Sequence, residues 1–329
     1  MLCKNLFCSP KSRARPQTCA AQPGIAVGGQ ERPEQPGVTG SGQEQLGTAG
    51  TARADAGIFE ERGGMDMARF TTLYSGSSGN CAVVEESGRC LLVDMGKSCR
   101  LTQNALKELG LTPQSLDGIL ITHEHSDHIG GLAIFLKHHP IPLYGSAATL
   151  QYLAEHRLIP EHTRLVDIDG RTEAVGGFQV QSFETSHDSV ACRGYRITTP
   201  SGKVVSIATD LGFVSDEVLA NLLLSDVVAL EANYDEQMLL LGPYPRMLKQ
   251  RIASRRGHLS NDESAQTLVR LMINGCKKFM LCHISQENNT PELALESVRV
   301  ALLRAGLVPG EGCMVQAARR HEVSPVIEF

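Results

Sequence analysis

The chain has 329 residues, 42% of them hydrophobic, which is enough to bury one large core or two smaller ones. Its formal net charge of -5 excludes a generally basic surface for nucleic acid, so any grip on a polyanion must be local. No stretch approaches the roughly 18 consecutive apolar residues of a membrane span, and no apolar run near the N-terminus is long enough for a secretory signal.

Residues 1–66 differ in composition from the rest of the chain. They are rich in Gly, Pro, Gln, Thr and Ala and lack aliphatic periodicity, which predicts disorder. The basic residues before Glu31 suggest a transit peptide. Against that, GIFEERGGMDM contains Glu-Glu-Arg-Gly-Gly, which purine-rich codons of ribosome-binding type would encode. We therefore expect a natural start at Met65 or Met67 and one globular domain over residues 67–329.

Apolar runs alternate with turns and helical patterns along this domain. SGSSGN, near its start, predicts a Gly/Ser turn between two strands, and the alternative is a turn whose backbone amides approach a phosphate. Strands are predicted at residues 70–73, 81–85, 90–93, 118–122, 178–183, 204–208, 227–230 and 278–281, and helices at 102–109 and 129–138.

Polar residues follow the C-terminal ends of six of these strands. At such ends α/β sheets gather ligands and catalytic groups, so we expect the side chains to meet at one edge. The residues are Asp94, the stretch HEHSDH from His123 to His128, His187, Asp210, Glu231 and His283.

HEHSDH has the spacing of a metal site. His123 and His125 are two positions apart, so on an extended segment their side chains point the same way. Asp127 and His128 lie where the chain turns into a helix and can face the same cavity from another side. The stretch therefore supplies two half-shells for two divalent ions, an arrangement that clamps the attacking and leaving oxygens of a displacement. The remaining ligand candidates are His187, Asp210 and His283.

A local basic segment, PYPRMLKQRIASRRGHLSN, carries no acidic residue. It leads into a capping box of Ser260 and Glu263, which predicts a helix whose N-terminus, with His258, can bind an anion. A phosphate grip is the functional interpretation, and a solvated helix face is the alternative. The candidate substrate-binding residues are Lys249, Arg251, Arg255, Arg256, Ser260 and Asn261.

The cysteines of residues 67–329 are scattered and form no CxxC pair. Several lie inside apolar runs, which favours free, buried thiols in a reducing cytoplasm. Metal ligation by Cys276 or Cys282 is a remote alternative.

HEHSDH followed by IGG, with the later Asp and His residues, resembles the metallo-β-lactamase superfamily. The resemblance covers nearly all of residues 67–329 and implies an α/β fold, a four-layer αββα sandwich with metals at one edge. It implies that Asp94 orients a ligand histidine. It further implies one metal ion on His123, His125 and His187, a second on Asp127, His128 and His283, and Asp210 between the two. Zinc suits the mixed His and carboxylate ligation, and manganese is the alternative.

LYSGSSGN, SHDSVACRGY, LEANYDEQML, GHLSN and CHISQENN are similar to the YycJ/WalJ family of bacterial metallo-hydrolases. That likeness implies an exonuclease acting 5′ to 3′ on double-stranded DNA. Likeness to ribonuclease Z implies that Glu231 pairs with His258, which contacts the scissile phosphate or protonates the leaving oxygen. Asp127 is a further candidate catalytic residue. His258 and His283 could exchange roles. The interval from Asp210 to His258 is too short for a β-CASP clamp domain.

Other functions remain as alternatives. The same metal cluster serves thioester or lactone hydrolases, which would not need the basic segment. An RNA-processing nuclease is a further alternative, because no segment of the sequence is recognisable as a module that distinguishes RNA from DNA by the 2′-hydroxyl. DNA is the favoured partner. A non-catalytic nucleic-acid or signalling partner would have no need of seven metal ligands.

Overall fold

The structure, a computed structural model, describes residues 67–329. The predicted disorder of residues 1–66 and the alternative start at Met65 lie outside the described residues. The strands are β1 (Arg69–Tyr74), β2 (Cys81–Glu86), β3 (Arg89–Val93), β4 (Leu116–Leu120), β5 (Leu143–Gly145), β6 (Leu165–Asp167), β7 (Thr172–Val175), β8 (Phe178–Glu184), β9 (Arg193–Thr198), β10 (Val204–Ala208), β11 (Val227–Glu231), β12 (Lys278–Cys282), β13 (Met314–Ala317) and β14 (Ile327–Glu328). The helices are α1 (Cys99–Glu108), α2 (Ser126–Ile129), α3 (Leu132–His138), α4 (Ala147–Glu155), α5 (Asp216–Leu222), α6 (Glu236–Leu241), α7 (Arg246–Ile252), α8 (Asn261–Ile273) and α9 (Pro291–Arg304).

Two mixed sheets form the centre of the described part of the chain. The first has the strand order β14-β1-β2-β3-β4-β5-β6, and the second has the order β13-β12-β11-β10-β9-β8-β7. In the first sheet β3 to β6 are parallel, and in the second β10 to β13 are parallel. Each sheet therefore turns the C-terminal ends of several strands toward one edge.

Side chains fill both faces of each sheet, as the period-2 alternation of a buried strand requires. In β3, Leu91 belongs to the core between the sheets, whereas Leu92 packs with residues of α1, α3 and α4. In the second sheet Ala229 faces the core between the sheets, whereas Leu230 packs with α5, α8 and α9. The layers are helices, sheet, sheet and helices, which confirms the predicted αββα sandwich.

Most predicted elements occur within a few residues of their expected bounds, with one difference at the metal motif. The sequence predicts one helix at residues 129–138, but the structure has α2 and α3, separated at Gly130 and Gly131. The break permits close backbone contact, because a Cβ atom on Gly131 would lie 2.0 Å from the carbonyl oxygen of Lys97.

The region between β10 and α8 contains only α5, β11, α6, α7 and their connections. No clamp domain is inserted there, as expected. None of the helices in residues 67–329 is long and apolar enough to cross a membrane.

Candidate metal centre

Loops at the C-terminal ends of the strands bring the predicted ligands together. Ligand atoms of His123, His125 and His187 lie within 4.8 Å of one another. The same holds for Asp127, His128 and His283.

Asp210 lies between these two triplets. Its carboxylate oxygens are 3.3 Å from Nε2 of His128 and 3.9 Å from Nε2 of His187. Only 2% of Asp210 is exposed, so the charge is enclosed by imidazoles rather than by water. The structure thus brings together all seven residues that the sequence offered as ligands.

Hydrogen bonds fix which ring nitrogen of these histidines faces the cavity. Nδ1 of His128 donates to Asp94 at 2.7 Å, and Nδ1 of His187 donates to the carbonyl oxygen of Gly257 at 3.0 Å. Nδ1 of His123 lies 3.0 Å from the Thr122 hydroxyl, which in turn donates to Asp94. These bonds leave Nε2 as the available ligand atom.

The donor set fits divalent metal ions. Nε2 of His123, Oδ2 of Asp210 and Nε2 of His283 are buried and have no hydrogen-bond partner within the described residues. Buried polar atoms are almost always paired in proteins, so three such atoms in one cluster indicate ligands oriented toward a cation. Imidazole with carboxylate is a donor set used by zinc and manganese.

The pKa values in the metal-free chain show the electrostatic cost of assembling this cluster. Burial, followed by the neighbouring imidazoles, lowers the pKa of His123 well below its usual value. Burial also lowers the pKa of His128, but the carboxylates of Asp210 and Asp94 outweigh it and raise the pKa to about 9. The carboxylates thus hold protons on part of the cluster, and a metal cation would replace that positive charge.

The backbone is unusual at three of these positions. Asp94, Asp210 and His283 follow β3, β10 and β12 with φ angles of 61°, 55° and 53°. Non-glycine residues seldom adopt this left-handed conformation, although Asp and His do so more often than most. Such conformations persist where the surrounding structure holds them, and they concentrate at functional sites.

Glu231, at the end of β11, is fully buried and links two histidines. Its Oε1 accepts from Nδ1 of His258 at 2.8 Å and from Nδ1 of His283 at 2.9 Å. Its Oε2 accepts backbone N–H groups of Leu211 and Leu259. His283 is buried beside Asp127, whereas 20% of the His258 side chain is exposed. The two histidines therefore differ in position: His283 lies inside the cluster and His258 at its rim.

The basic segment borders the first triplet. Arg251 forms an ion pair with Asp188, next to His187, and Arg256 donates to the carbonyl oxygen of His187 at 3.2 Å. The Arg255 guanidinium lies 3.6 Å from the ring centre of Phe213. Arg251 and Arg256 are thus placed beside the first triplet, and Arg255 lies on Phe213.

Three residues that the sequence predicted to bind substrate form bonds within the protein instead. Ser260 is buried as the N-cap of α8, accepting from the N–H of Glu263 at 3.2 Å, and Asn261 is buried against Asn289. The Lys249 ammonium donates to two backbone carbonyl oxygens. These groups serve internal bonds, because a helix N-terminus and a buried amide must be satisfied within the fold.

Two residues that support the metal-ligand candidates were not predicted from the sequence. Thr122 connects Asp94 to His123, and the Asn80 amide nitrogen lies 3.1 Å from Nε2 of His128. Their positions, directly before HEHSDH and at the end of SGSSGN, were the available signals. Cys276 and Cys282, the remote alternatives, are absent from the ligand groups found in residues 67–329.

Chelation is expected to destabilise the protein. A ligand that binds only the folded state stabilises it by about 2.7 kcal/mol at 100 times its Kd. In a domain of this size, each kcal/mol shifts the unfolding midpoint by about 2–4 °C. We therefore expect EDTA to lower the Tm by about 5–10 °C and added zinc or manganese to restore it, as measured by differential scanning fluorimetry. His123→Ala should show a much smaller response, and an equal response in both proteins would contradict the metal assignment.

Comparisons with known proteins agree with this architecture. The profile of the beta-lactamase superfamily domain matches residues 89–284. The chain is 36% identical over 264 residues to exodeoxyribonuclease WalJ of Streptococcus pneumoniae, covering 79% of this chain and 98% of the relative. It is 35% identical over 258 residues to exodeoxyribonuclease YycJ of Bacillus anthracis, covering 78% of this chain and 95% of that relative. The metallo-beta-lactamase fold protein YhfI of Bacillus subtilis superposes with a TM-score of 0.61 at 18% identity, covering 80% of this chain and 100% of YhfI, which shows the shared fold.

Proposed function

Since the chain belongs to the metallo-β-lactamase superfamily and to the family of the exodeoxyribonucleases WalJ and YycJ, we propose that it is a metal-dependent phosphodiester hydrolase that degrades DNA from an end. The observation that carries the proposal is similarity over 98% of the length of WalJ. The likeness favours double-stranded DNA as the substrate and 5′ to 3′ as the direction. We place the reaction in the cytoplasm, in keeping with the free cysteines of residues 67–329.

The ligand clusters would hold two divalent ions, zinc in preference to manganese. Bound there, such ions would supply Lewis acidity toward phosphoryl oxygens and a nucleophile from water near neutral pH. One ion would be held by His123, His125 and His187, the other by Asp127, His128 and His283, and both by Asp210. Asp94 would keep His128 in the tautomer that presents Nε2.

His258 is the proposed proton donor. In the doubly protonated form of His258, Nδ1–H is held by Glu231 and Nε2–H is free to pass its proton to the leaving oxygen, which leaves a neutral imidazole. The partial exposure of this side chain supports contact with a substrate, and the burial of His283 supports a ligand role for that residue. Asp127, also partly exposed, would orient groups around the scissile phosphate.

The basic segment would position the phosphate backbone. Phosphate contacts fix the register of a nucleic acid and make its binding sensitive to salt. The double variant Arg255→Glu/Arg256→Glu should lower DNA cleavage by more than about 10-fold, with the larger loss at low ionic strength. Arg299→Glu on α9, which only breaks an exposed ion pair with Glu296, is the matched control. Unchanged cleavage by the double variant with normal metal content would argue for a small-molecule substrate.

Degradation of end-labelled linear nucleic acids tests the function. Duplex DNA, single-stranded DNA and RNA are incubated with wild type and with His125→Ala, in zinc or manganese. We expect metal-dependent shortening of duplex DNA by wild type alone, with a label pattern that gives the direction. Faster shortening of RNA would favour an RNA-processing nuclease. Turnover of thioesters or lactones without shortening of any nucleic acid would overturn the proposal.

A further inference from the structure

Residues 75–80 form a turn, here called the serine turn, that joins β1 to β2 and borders the second ligand triplet. The hydroxyl of Ser75 accepts the backbone N–H of His283 at 2.8 Å. At the other end of the turn, the N–H of Asn80 donates to the carbonyl oxygen of Asp127 at 2.7 Å. The serine turn is therefore fixed to both loops that carry the triplet Asp127, His128 and His283.

The tip of the serine turn presents unused hydrogen-bond donors. The N–H of Gly79 donates to the carbonyl oxygen of Gly76 at 2.8 Å, which closes the turn around Ser77 and Ser78. Both serines are exposed, and their backbone N–H groups have no acceptor within the described residues. Successive free N–H groups in a turn form a concave site that attracts anions.

Two cationic side chains flank this tip. The Lys97 ammonium donates to the Ser78 hydroxyl at 3.0 Å, and its stem fills the space that a Cβ atom on Gly79 would need. On the other side, Arg320 donates to the carbonyl oxygen of Ile284, and its Nη1 would lie 2.7 Å from a Cβ atom on Gly76.

Neither cation belongs to an ion pair within the described residues, although the charge of Glu287 partly opposes the effect of burial, which lowers the pKa of Arg320. Among residues 67–329, neither Lys97 nor Arg320 has a carboxylate within the 4.0 Å of an ion pair. Burial, followed by the charge of Arg320, lowers the pKa of Lys97, so the two side chains are close enough to repel each other. An anion between them would relieve that repulsion.

We propose that the serine turn, Lys97 and Arg320 bind the terminal 5′-phosphate of the DNA end. This inference rests on the proposed function and adds the group by which the enzyme recognises its substrate. A terminal phosphate monoester carries close to two negative charges and three acceptor oxygens at pH 7, whereas an internal phosphodiester carries one charge. Two cations and two free N–H groups match the monoester better.

The location also favours a chain end over a continuing strand. The basic segment lies beside His187 in the first triplet, whereas the serine turn lies beside the second. A strand that crosses the metal centre thus meets extended cationic surface on one side and a small anion site on the other. The reacting nucleotide would lie between them, with its terminal phosphate at the serine turn.

Cleavage of paired substrates tests this assignment. Two duplexes of one sequence, labelled at the 3′ ends, carry either 5′-phosphates or 5′-hydroxyls. We expect wild type to degrade the phosphorylated duplex at least about 10-fold faster, in line with charge-assisted hydrogen bonds. Lys97→Gln and Arg320→Gln should each bring this ratio close to 1, because the rate on the phosphorylated duplex falls.

Matched controls separate recognition from folding. Lys107→Gln, on the exposed side of α1, and Arg319→Gln, whose guanidinium pairs with Glu322, should keep the wild-type ratio. Ser77→Ala and Ser78→Ala should also keep most of it, because the backbone N–H groups remain. Equal loss on both duplexes in the Lys97 and Arg320 variants would show a merely structural role and overturn the inference.

Binding provides a readout that does not depend on cleavage. Fluorescence anisotropy of the same duplexes with His125→Ala should show tighter binding of the phosphorylated end, and Arg320→Gln in that background should remove the difference. Equal affinities would overturn the terminal-phosphate site, even if wild type degrades both duplexes and the exonuclease proposal stands. Tighter binding of the phosphorylated end without cleavage by wild type would support the site and contradict the exonuclease.

Discussion

Asp210→Asn is expected to reduce DNA cleavage by more than about 10³-fold and to lower the bound metal below two ions per chain. Asp210 is the only carboxylate within the described residues that contacts both triplets, so its charge would compensate for two cations at once. Losing this negative charge at a dinuclear centre would remove several kcal/mol of transition-state stabilisation. Asparagine keeps the side-chain shape and tolerates the left-handed backbone, which confines the effect to the charge.

Metal analysis by mass spectrometry and initial cleavage rates would measure this effect. Asp226→Asn is the matched control, because Asp226 precedes β11 at the end opposite the metal centre and accepts from the N–H of Val204. It should retain two metal ions and wild-type activity. Full metal content and activity in Asp210→Asn would contradict the bridging assignment.

Glu231→Gln is expected to lower cleavage by about 10²–10⁴-fold and metal affinity by about 10–100-fold. The physical reason is that Glu231 fixes the tautomers of His258 and His283, and glutamine would change both. Oε2 must remain an acceptor for two backbone N–H groups, so the amide nitrogen of glutamine would occupy the position of Oε1. There it would face Nδ1 of both His258 and His283 and force each to accept. The remaining proton would then move to Nε2, so Nε2 of His283 could no longer bind a metal. His258 could no longer be doubly protonated, and its neutral imidazole would be a much weaker acid than the imidazolium that Glu231 stabilises.

Two further variants separate the parts of this effect. His258→Asn should lose activity to a similar extent but retain both metal ions, because only the proton donor is removed. Glu86→Gln, a buried glutamate at the distant end of β2, should change neither property. Normal metal affinity in Glu231→Gln would show that His283 does not depend on Glu231 for its tautomer.

The central strands and the metal-ligand candidates could be predicted from the sequence because each is marked by residues that are close together in the chain. Buried strands such as β10 are continuous apolar runs, and a polar residue directly after each strand marks the edge where ligands meet. HEHSDH combines four candidate ligands in six positions, so the spacing within this one segment already predicts that their side chains lie close together. The peripheral strands β5, β6, β7 and β13 were missed, because they are short and depend on neighbouring strands for pairing.

The roles of individual polar residues were harder to predict because they depend on long-range contacts. Ser260 and Asn261 were expected to face a substrate, yet Asn289 and the capping of α8 occupy them. Arg320 lies more than 200 positions from the serine turn in the sequence, and no motif around it indicates that the two are neighbours in the fold. Only the fold places it beside that turn, with no carboxylate of residues 67–329 close enough for an ion pair.

The left-handed backbone at Asp94, Asp210 and His283 limits how this centre can be redesigned for another metal. Engineers usually exchange ligands by side-chain chemistry, for example replacing a carboxylate with a thiolate for a softer ion. At these positions a new ligand must also accept a positive φ angle, which Asn, Asp and His tolerate better than other non-glycine residues. A change of metal preference is therefore easier to introduce at His123 or His125, where the backbone imposes no such restriction.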